Sequence, residues 1–437
     1  MEAMLSEFDY FAPTVIQSAI VAEYDDMISP VNALNTDAAN PLNTIEFNIP
    51  GANDLYRDLN NSYLMIKIKL LDKDNANLAG TVAAGPVNLP LHSLFSTVSL
   101  TLCGREITEK DTLYPYRAYL ETLLSHEQRV LETRFAAEGW AKDDPAHMDC
   151  ITLAPENTKE DPNVGFVTRR KLILASRACT LVGRPHLDLF HQPLDIPPNC
   201  AMSLKLVPVS KAFSLMEIAT GSSKFVLLDA KLFVRTKKAC PELVMAHKDM
   251  LQKTNMRFPY NRVTVTKHGI ATGFKTAMIP LNFPSKLPKR VFIAFVKNSA
   301  SSGTLAENPF NFEHFKLESI TLSVNGVQVP AAGLQMDFPK KDCERAYLNT
   351  LAALGMDNTN TSISLSVDEF LSGYAIYGFK IAPGPVDGTV FSIANSVGSV
   401  VVNVAFAEGL GANVDMIVYA ETPAVLEIDK LSAVTLV

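Results

Sequence analysis

No CxxC pair, no HxH pair, no Gly-Lys-Ser/Thr phosphate loop and no GxSxG elbow occurs in the 437 residues. These absences remove the zinc-ribbon, cupin-type, P-loop and α/β-hydrolase chemistries that such spacings support. The six cysteines (Cys103, Cys150, Cys179, Cys200, Cys240, Cys343) lie far apart, so they read as reduced and mostly structural rather than as a disulfide scaffold. Apolar runs fall short of the ~18 residues a membrane helix needs. The opening MEAMLSEFDYF carries acidic residues where a signal peptide is basic, so neither a membrane span nor the usual secretory route is expected. Positive charge is also scarce: 39 Lys and Arg face 46 Asp and Glu, a net charge of −7. That excludes a generic nucleic-acid coat and leaves only local contact with a polyanion.

What is present is apolar and patterned for strands. Hydrophobic residues make up 47% and charged residues 19%, a globular composition, and the length suits two or three domains. In SYLMIKIKLL (62–71), Leu64, Ile66, Ile68 and Leu70 alternate with polar or outward residues, the period of a half-buried strand. The same pattern is read in 98–102, 202–207, 225–234, 291–296, 319–324, 362–367, 400–406 and 415–420. Helical periodicity is confined to insertions. HEQRVLETRFAAEGW reads as an exposed helix after a Ser125 cap, and DCERAYLNTLAALG (342–355) as a second, with Leu348, Leu351 and Leu354 in one stripe and Gly355 as its stop. Many short strands without strand-helix alternation predict an all-β sandwich class.

An internal repeat sets the organisation. LHSLFSTVSLTLCGREI (91–107) matches EHFKLESITLSVNGVQV (313–329) without a gap, pairing His92 with His314, Leu100 with Leu322 and Gly104 with Gly326. RAYLETLL (117–124) matches RAYLNTLA (345–352), pairing Arg117 with Arg345 and Tyr119 with Tyr347. Each copy reads as a hairpin, since a strand runs into a Gly-containing turn, Cys103-Gly104 or Asn325-Gly326, and an Asn-Gly pair is a strong hairpin signal because both residues tolerate positive φ. The repeat predicts an N-terminal arm at 1–13, one sandwich over 14–239, a connecting helix at 240–254 and a second sandwich over 255–437 with a C-terminal tail. In the connecting helix, Pro241 starts the first turn and Leu243, Val244, Met250 and Leu251 form the apolar face.

Candidate chemistry is thin. His147 with Cys150, and His186 with His191, are the close metal-capable pairs, but loop spacings of three and five need further converging ligands, so no metal site is expected. Asp143-Asp144 and Glu160-Asp161 read as solvated loop carboxylates, and GLGANV (409–414) as a turn before a strand. Residues 237–262 hold six basic side chains against Glu242 and Asp249, best read as a solvated linker face. The paired positions His92, Gly104, Arg117, Tyr119, His314, Gly326, Arg345 and Tyr347 are expected to be structural. Leu5, Phe8, Tyr10 and Phe11 give the arm an apolar side suited to assembly. Two other readings are a two-domain jelly-roll hydrolase, which needs converging carboxylates, and a carbohydrate-binding protein, which needs more aromatic platforms than the single Trp140 offers.

YPYRAYLETLLS (114–125), the two hairpin segments and IEFNIPGANDLYRDLNNSYLMIKIKLLD (45–72) resemble the major capsid proteins of Polinton (Maverick) elements and adintoviruses. The resemblance implies a double jelly roll, two tandem eight-stranded antiparallel β-sandwiches with short helical insertions. It further implies a non-enzymatic, cofactor-free structural protein whose homotrimers form pseudo-hexameric capsomers of an icosahedral shell. Implied partners are further copies of the chain, penton and minor capsid proteins and, indirectly, packaged DNA. The implied location is the virion capsid, with synthesis in the host cytoplasm and assembly in the nucleus.

Overall fold

Alternating patterns become strands where one face must be covered, and the order of those strands defines the fold. The computed structural model describes residues 19–32, 42–108, 112–153, 163–218, 223–283, 286–381 and 397–436. The arm residues Leu5, Phe8, Tyr10 and Phe11, and Glu160-Asp161, lie outside them. The first half contains β1 (Ile20–Ile28), β2 (Ile45–Ile49), β3 (Leu55–Asp72), β4 (Ala84–Pro86), β5 (Phe95–Leu102), β6 (Arg105–Glu106), β7 (Cys179–Gly183), β8 (Met202–Pro208), β9 (Leu215–Glu217) and β10 (Ser223–Ala239). The second contains β11 (Met256–Ile270), β12 (Thr276–Leu281), β13 (Arg290–Lys297), β14 (Leu317–Val324), β15 (Val327–Gln335), β16 (Ile376–Lys380), β17 (Val400–Phe406), β18 (Val414–Ile428) and β19 (Val434–Leu436).

In the first half the sheets run β1-β10-β3-β7 and β2-β8-β5-β6; in the second they run β11-β18-β13-β16 and β12-β17-β14-β15. With the small β4–β9 ribbon and β19 set aside, each half has eight strands among the described residues. In both halves the first, eighth, third and sixth form one sheet, and the second, seventh, fourth and fifth form the other. That connectivity is a jelly roll, and the chain is a double jelly roll. Pro259, Pro280 and Pro330 fall on the edge strands β11, β12 and β15, whose outer side has no ladder, while Pro208 ends β8 and Pro423 lies on β18 between its last pair with β13 at Glu421 and its first with β19 at Leu426. At the β5–β6 and β14–β15 turns, Cys103 and Asn325 both have φ 50°, followed by Gly104 at 79° and Gly326 at 81°. These are two-residue turns with both central residues left-handed, which match strand twist.

The core has three layers. One lies within each sandwich, and between them Tyr116, Tyr119, Phe310, Phe312, Phe292 and Tyr419 join residues of both halves in a third. β13 shows why. Val291, Ile293 and Phe295 face the second sandwich, whereas Phe292, Ala294 and Val296 face the layer between the halves. VFIAFV is therefore buried on both faces, not half-buried as its reading supposed.

Several local expectations need correction. Residues 362–367 form no strand; Ile363 and Leu365 are buried in irregular chain, and Ser366 with Glu369 makes a capping box for the turn Val367–Phe370. Ser125 ends the helix Tyr114–Ser125 rather than capping the next one. Residues 126–140 split into Gln128–Thr133 and a 3-10 turn Phe135–Glu138, and bury Leu131, Phe135 and Trp140. In the helix Glu344–Leu354, Leu348 is 54% exposed, and Ala346, Thr350, Leu351 and Ala353 are the buried residues. The helix Pro241–Lys253 buries Val244 and leaves Met250 63% exposed, so Met250 is not part of its packed face. In the C-terminal tail, β19 pairs with β18, and Arg105 of the first half donates to the Val434 carbonyl at 2.7 Å.

Candidate functional site

The helix Tyr114–Ser125 runs between the sandwiches and positions a cluster of charges beside a cavity of about 360 Å³. Arg117 and Glu121 lie one turn apart, and Arg117 donates to Glu121 at 2.9 Å and to Asp188 at 2.5 Å. Asp188 also accepts the Val263 N–H from the second half at 3.3 Å. The Tyr419 hydroxyl lies 3.4 Å from Glu121 and 3.2 Å from Glu421, whose carboxylate takes Arg290 at 2.6 Å. Opposed environments act on the two carboxylates that share Arg117. Burial pushes Asp188 up despite Arg117. Burial also opposes ionisation of Glu121, but Arg117 and the His186 hydrogen bond overcome it and hold that carboxyl well below its usual range. Each carboxylate is engaged by a cation, a hydroxyl or an N–H, so the cluster works as a clasp between the halves.

A second clasp is deeper. Arg169 has no exposed surface and donates to Asp143 at 2.7 Å, to Pro86 O at 3.1 Å and to Ala141 O at 2.6 Å. From the second half, Asn308 reaches the Asp143 carboxylate at 3.3 Å, and the Tyr374 hydroxyl donates to the Asp143 carbonyl at 2.9 Å. Asp143 is thus a buried ion-pair residue, correcting its reading as solvated surface.

Most of the repeated positions occupy corresponding elements, but His92 lies in the short helix Pro90–Ser93 and His314 in irregular chain, and the surroundings differ. Leu100 and Leu322 are buried on β5 and β14. His92 is buried between Tyr114 and Glu138, at 2.9 and 3.1 Å, whereas His314 stacks on Phe338 at 4.0 Å and accepts the Lys316 N–H. Arg117 sits in the clasp, while Arg345 is at the surface on the carbonyls of Gly333 and Ala332. Tyr119 stacks on Phe310 at 4.1 Å, whereas Tyr347 donates to Leu365 O at 2.8 Å.

His147 and Cys150 border a cavity of about 730 Å³ but do not converge: His147 faces Asp144 at 3.3 Å, and Cys150 faces Thr152 at 2.9 Å. His186 and His191 both approach Glu121, at 2.6 and 3.8 Å. Among the described residues, two groups present metal-capable atoms within 4.8 Å of one another, Glu121-His186-His191 and His92-Glu138-His186. Sequence spacing could not reveal the second, whose members come from three separate segments. In the basic stretch, Lys237 pairs with Asp58 and Asp195, Lys238 with Asp54 and Arg257 with Glu427.

No family model matches the sequence. The chain is similar to the uncharacterized protein F54H12.2 of Caenorhabditis elegans, 24% identical over 400 residues, which cover 88% of this chain and 91% of that one. Its structure is similar to a chain of the Sputnik virophage, with a TM-score of 0.62 and 11% identity over 99% of this chain and 91% of that one. It is also similar to the Faustovirus major capsid protein, with a TM-score of 0.56 and 8% identity over 97% and 92% of the two chains. For the mavirus major capsid protein the TM-score is 0.52, with 11% identity over 100% and 95%. At such identities the likeness concerns the fold, and the chain shares the double jelly-roll architecture of these virus proteins.

Proposed function

We propose that this chain is the major capsid protein of a Polinton (Maverick)- or adintovirus-type element, and that three copies form a pseudo-hexameric capsomer. The observation that carries the reading is the pair of like sandwiches fused through a common layer: a threefold axis then sets six similar sandwiches in a ring. The flanks fit a partner of the same kind. β1 is at the end of its sheet and exposes Ile20, Val21, Tyr24 and Met27. In this reading the sandwiches span 14–239 and 255–437 around the connector 240–254, and the protein has no catalytic role. Arm residues Leu5, Phe8, Tyr10 and Phe11 engage neighbouring capsomers or minor capsid proteins. Penton proteins close the icosahedral shell, which contains the packaged DNA, and synthesis is cytoplasmic with assembly in the nucleus.

Light scattering and negative-stain imaging of the purified protein test the proposal. The expected particle has three times the 47.7 kDa chain mass and a pseudo-hexagonal outline. Each pair of chains should bury more than the ~1,200–2,000 Å² of an ordinary specific interface. A monomer at micromolar concentration would refute it.

A further inference from the structure

We infer that His92, Glu138 and His186 form a binding site for one divalent transition metal ion of the zinc type. Their donor atoms lie within 4.8 Å of one another, and His92 Nε2 is 3.1 Å from Glu138 Oε2. A tetrahedral shell with bonds of about 2.0–2.1 Å places neighbouring ligands roughly 3.3 Å apart, so this pair already has the required spacing. All three residues are buried, at 1%, 2% and 4% exposure.

The surrounding hydrogen bonds orient both imidazoles. His92 Nδ1 is 2.9 Å from the Tyr114 hydroxyl oxygen, and His186 Nδ1 is 2.6 Å from Glu121 Oε2. His186 donates Nδ1–H to the Glu121 carboxylate, which leaves its Nε2 with the lone pair a metal needs; at His92 the ion would replace the proton that Nε2 otherwise gives to Glu138, Nδ1–H then turning to the Tyr114 oxygen, and the oxygen behind each ring raises its basicity. Arg117 holds Glu121 in place from the other side. Gly183 on β7 makes room for the third ligand, because a Cβ there would collide with the Glu138 carboxyl group. The second oxygen of Glu138 or a water completes the shell.

The neighbouring group Glu121-His186-His191 is a poorer choice. Arg184 lies 3.1 Å from His191 Nδ1, and a guanidinium can only donate, so the proton of neutral His191 stays on Nε2, the nitrogen facing Glu121. The two groups also compete for His186. A metal at the first site ties the short helix Pro90–Ser93, the turn Phe135–Glu138 and the loop after β7 together, beside the clasp that joins the halves. The site is independent of the capsid reading.

The test uses the full chain and zinc ion alone. Protein purified with zinc and then desalted should retain about one zinc per chain, and removing it with a chelator should lower the melting temperature by several degrees. X-ray absorption at the zinc edge of the wild-type protein should show two imidazoles with oxygen and no sulfur. His191→Ala, at a partly exposed position, should retain the metal, His92→Gln should lose it, and Tyr114→Phe should weaken zinc affinity about 10–100-fold. The inference fails if the folded wild type holds no stoichiometric zinc and chelation leaves its melting temperature unchanged. It also fails if His191→Ala loses the metal, which would place the ion in the neighbouring group. Should His92→Gln not fold, the His191→Ala variant still separates the two groups, whose donor sets of two imidazoles and a carboxylate give the same absorption spectrum.

Discussion

At the residue scale, the buried ion pair Arg169–Asp143 has the largest consequences for a single substitution. Its charges sit where neither side chain is exposed, so removing one leaves the other without solvent or a counterion. Arg169→Met should destabilise the fold by about 3–5 kcal/mol in denaturant titrations. Replacing Asp143 by Leu as well should cost less than Arg169→Met alone, because no orphan charge remains; a double variant worse than the single one would show that the pair has another role. His126 supplies a pH dependence. Burial, with smaller contributions from Arg134 and Arg184 against an opposing Glu121, pushes its pKa down to about 4. Its ring packs edge-on to Phe135, and its Nδ1 is buried with no hydrogen-bond partner among the described residues. A folded-state pKa below the unfolded ~6.5 means that the unfolded chain takes up a proton the folded one refuses. The neutral ring's contribution is therefore complete above pH ~6.5 and is lost as pH falls toward 4. The melting temperature of His126→Gln should decline less steeply between pH 7 and 5 than that of wild type; parallel curves would assign the pH dependence to other groups.

At the element scale, the sequence was most readable where one rule governed one face. Leu64, Ile66, Ile68 and Leu70 alternate and are all buried on β3, and the Cys103-Gly104 and Asn325-Gly326 turns lie where paired left-handed residues are needed. Periodicity failed where tertiary contacts overrode it. Ile363 and Leu365 alternate as a strand would, yet find apolar cover without a ladder partner, and the Ser366 cap turns the chain into a helix. The double burial of β13 was signalled by its unbroken VFIAFV run, since a strand with one wet face does not read as six apolar residues. The charge clasp left no comparable trace. Glu121, Asp188 and Tyr419 are far apart in sequence and meet only because a helix from one half packs against a sheet of the other. Likewise, His92, Glu138 and His186 form no spacing motif. The repeat pairs His92 with His314, but His92 lies between Tyr114 and Glu138 while His314 stacks on Phe338.

At the scale of the whole molecule, the layer between the sandwiches determines how the chain responds to stress. Phe310 and Phe312 of the second half interleave with Tyr116 and Tyr119 of the first, and Phe258, Tyr260, Leu426 and Ile428 extend into the first sandwich's core. Neither half can expose its share of this surface cheaply, so calorimetry should show one cooperative unfolding transition rather than two. Well-separated transitions would mean that the common layer contributes little. The same layer removes any hinge. Bending one sandwich against the other would separate the Tyr119–Phe310 stack and pull Val263 and Tyr419 from their carboxylates, so the molecule behaves as a stiff brick. If such chains tile a shell as proposed, the shell has to take its curvature at the joints between them. Shells of different radius would then differ in the angles at which rigid tiles meet along their edges, with the interior of each tile unchanged.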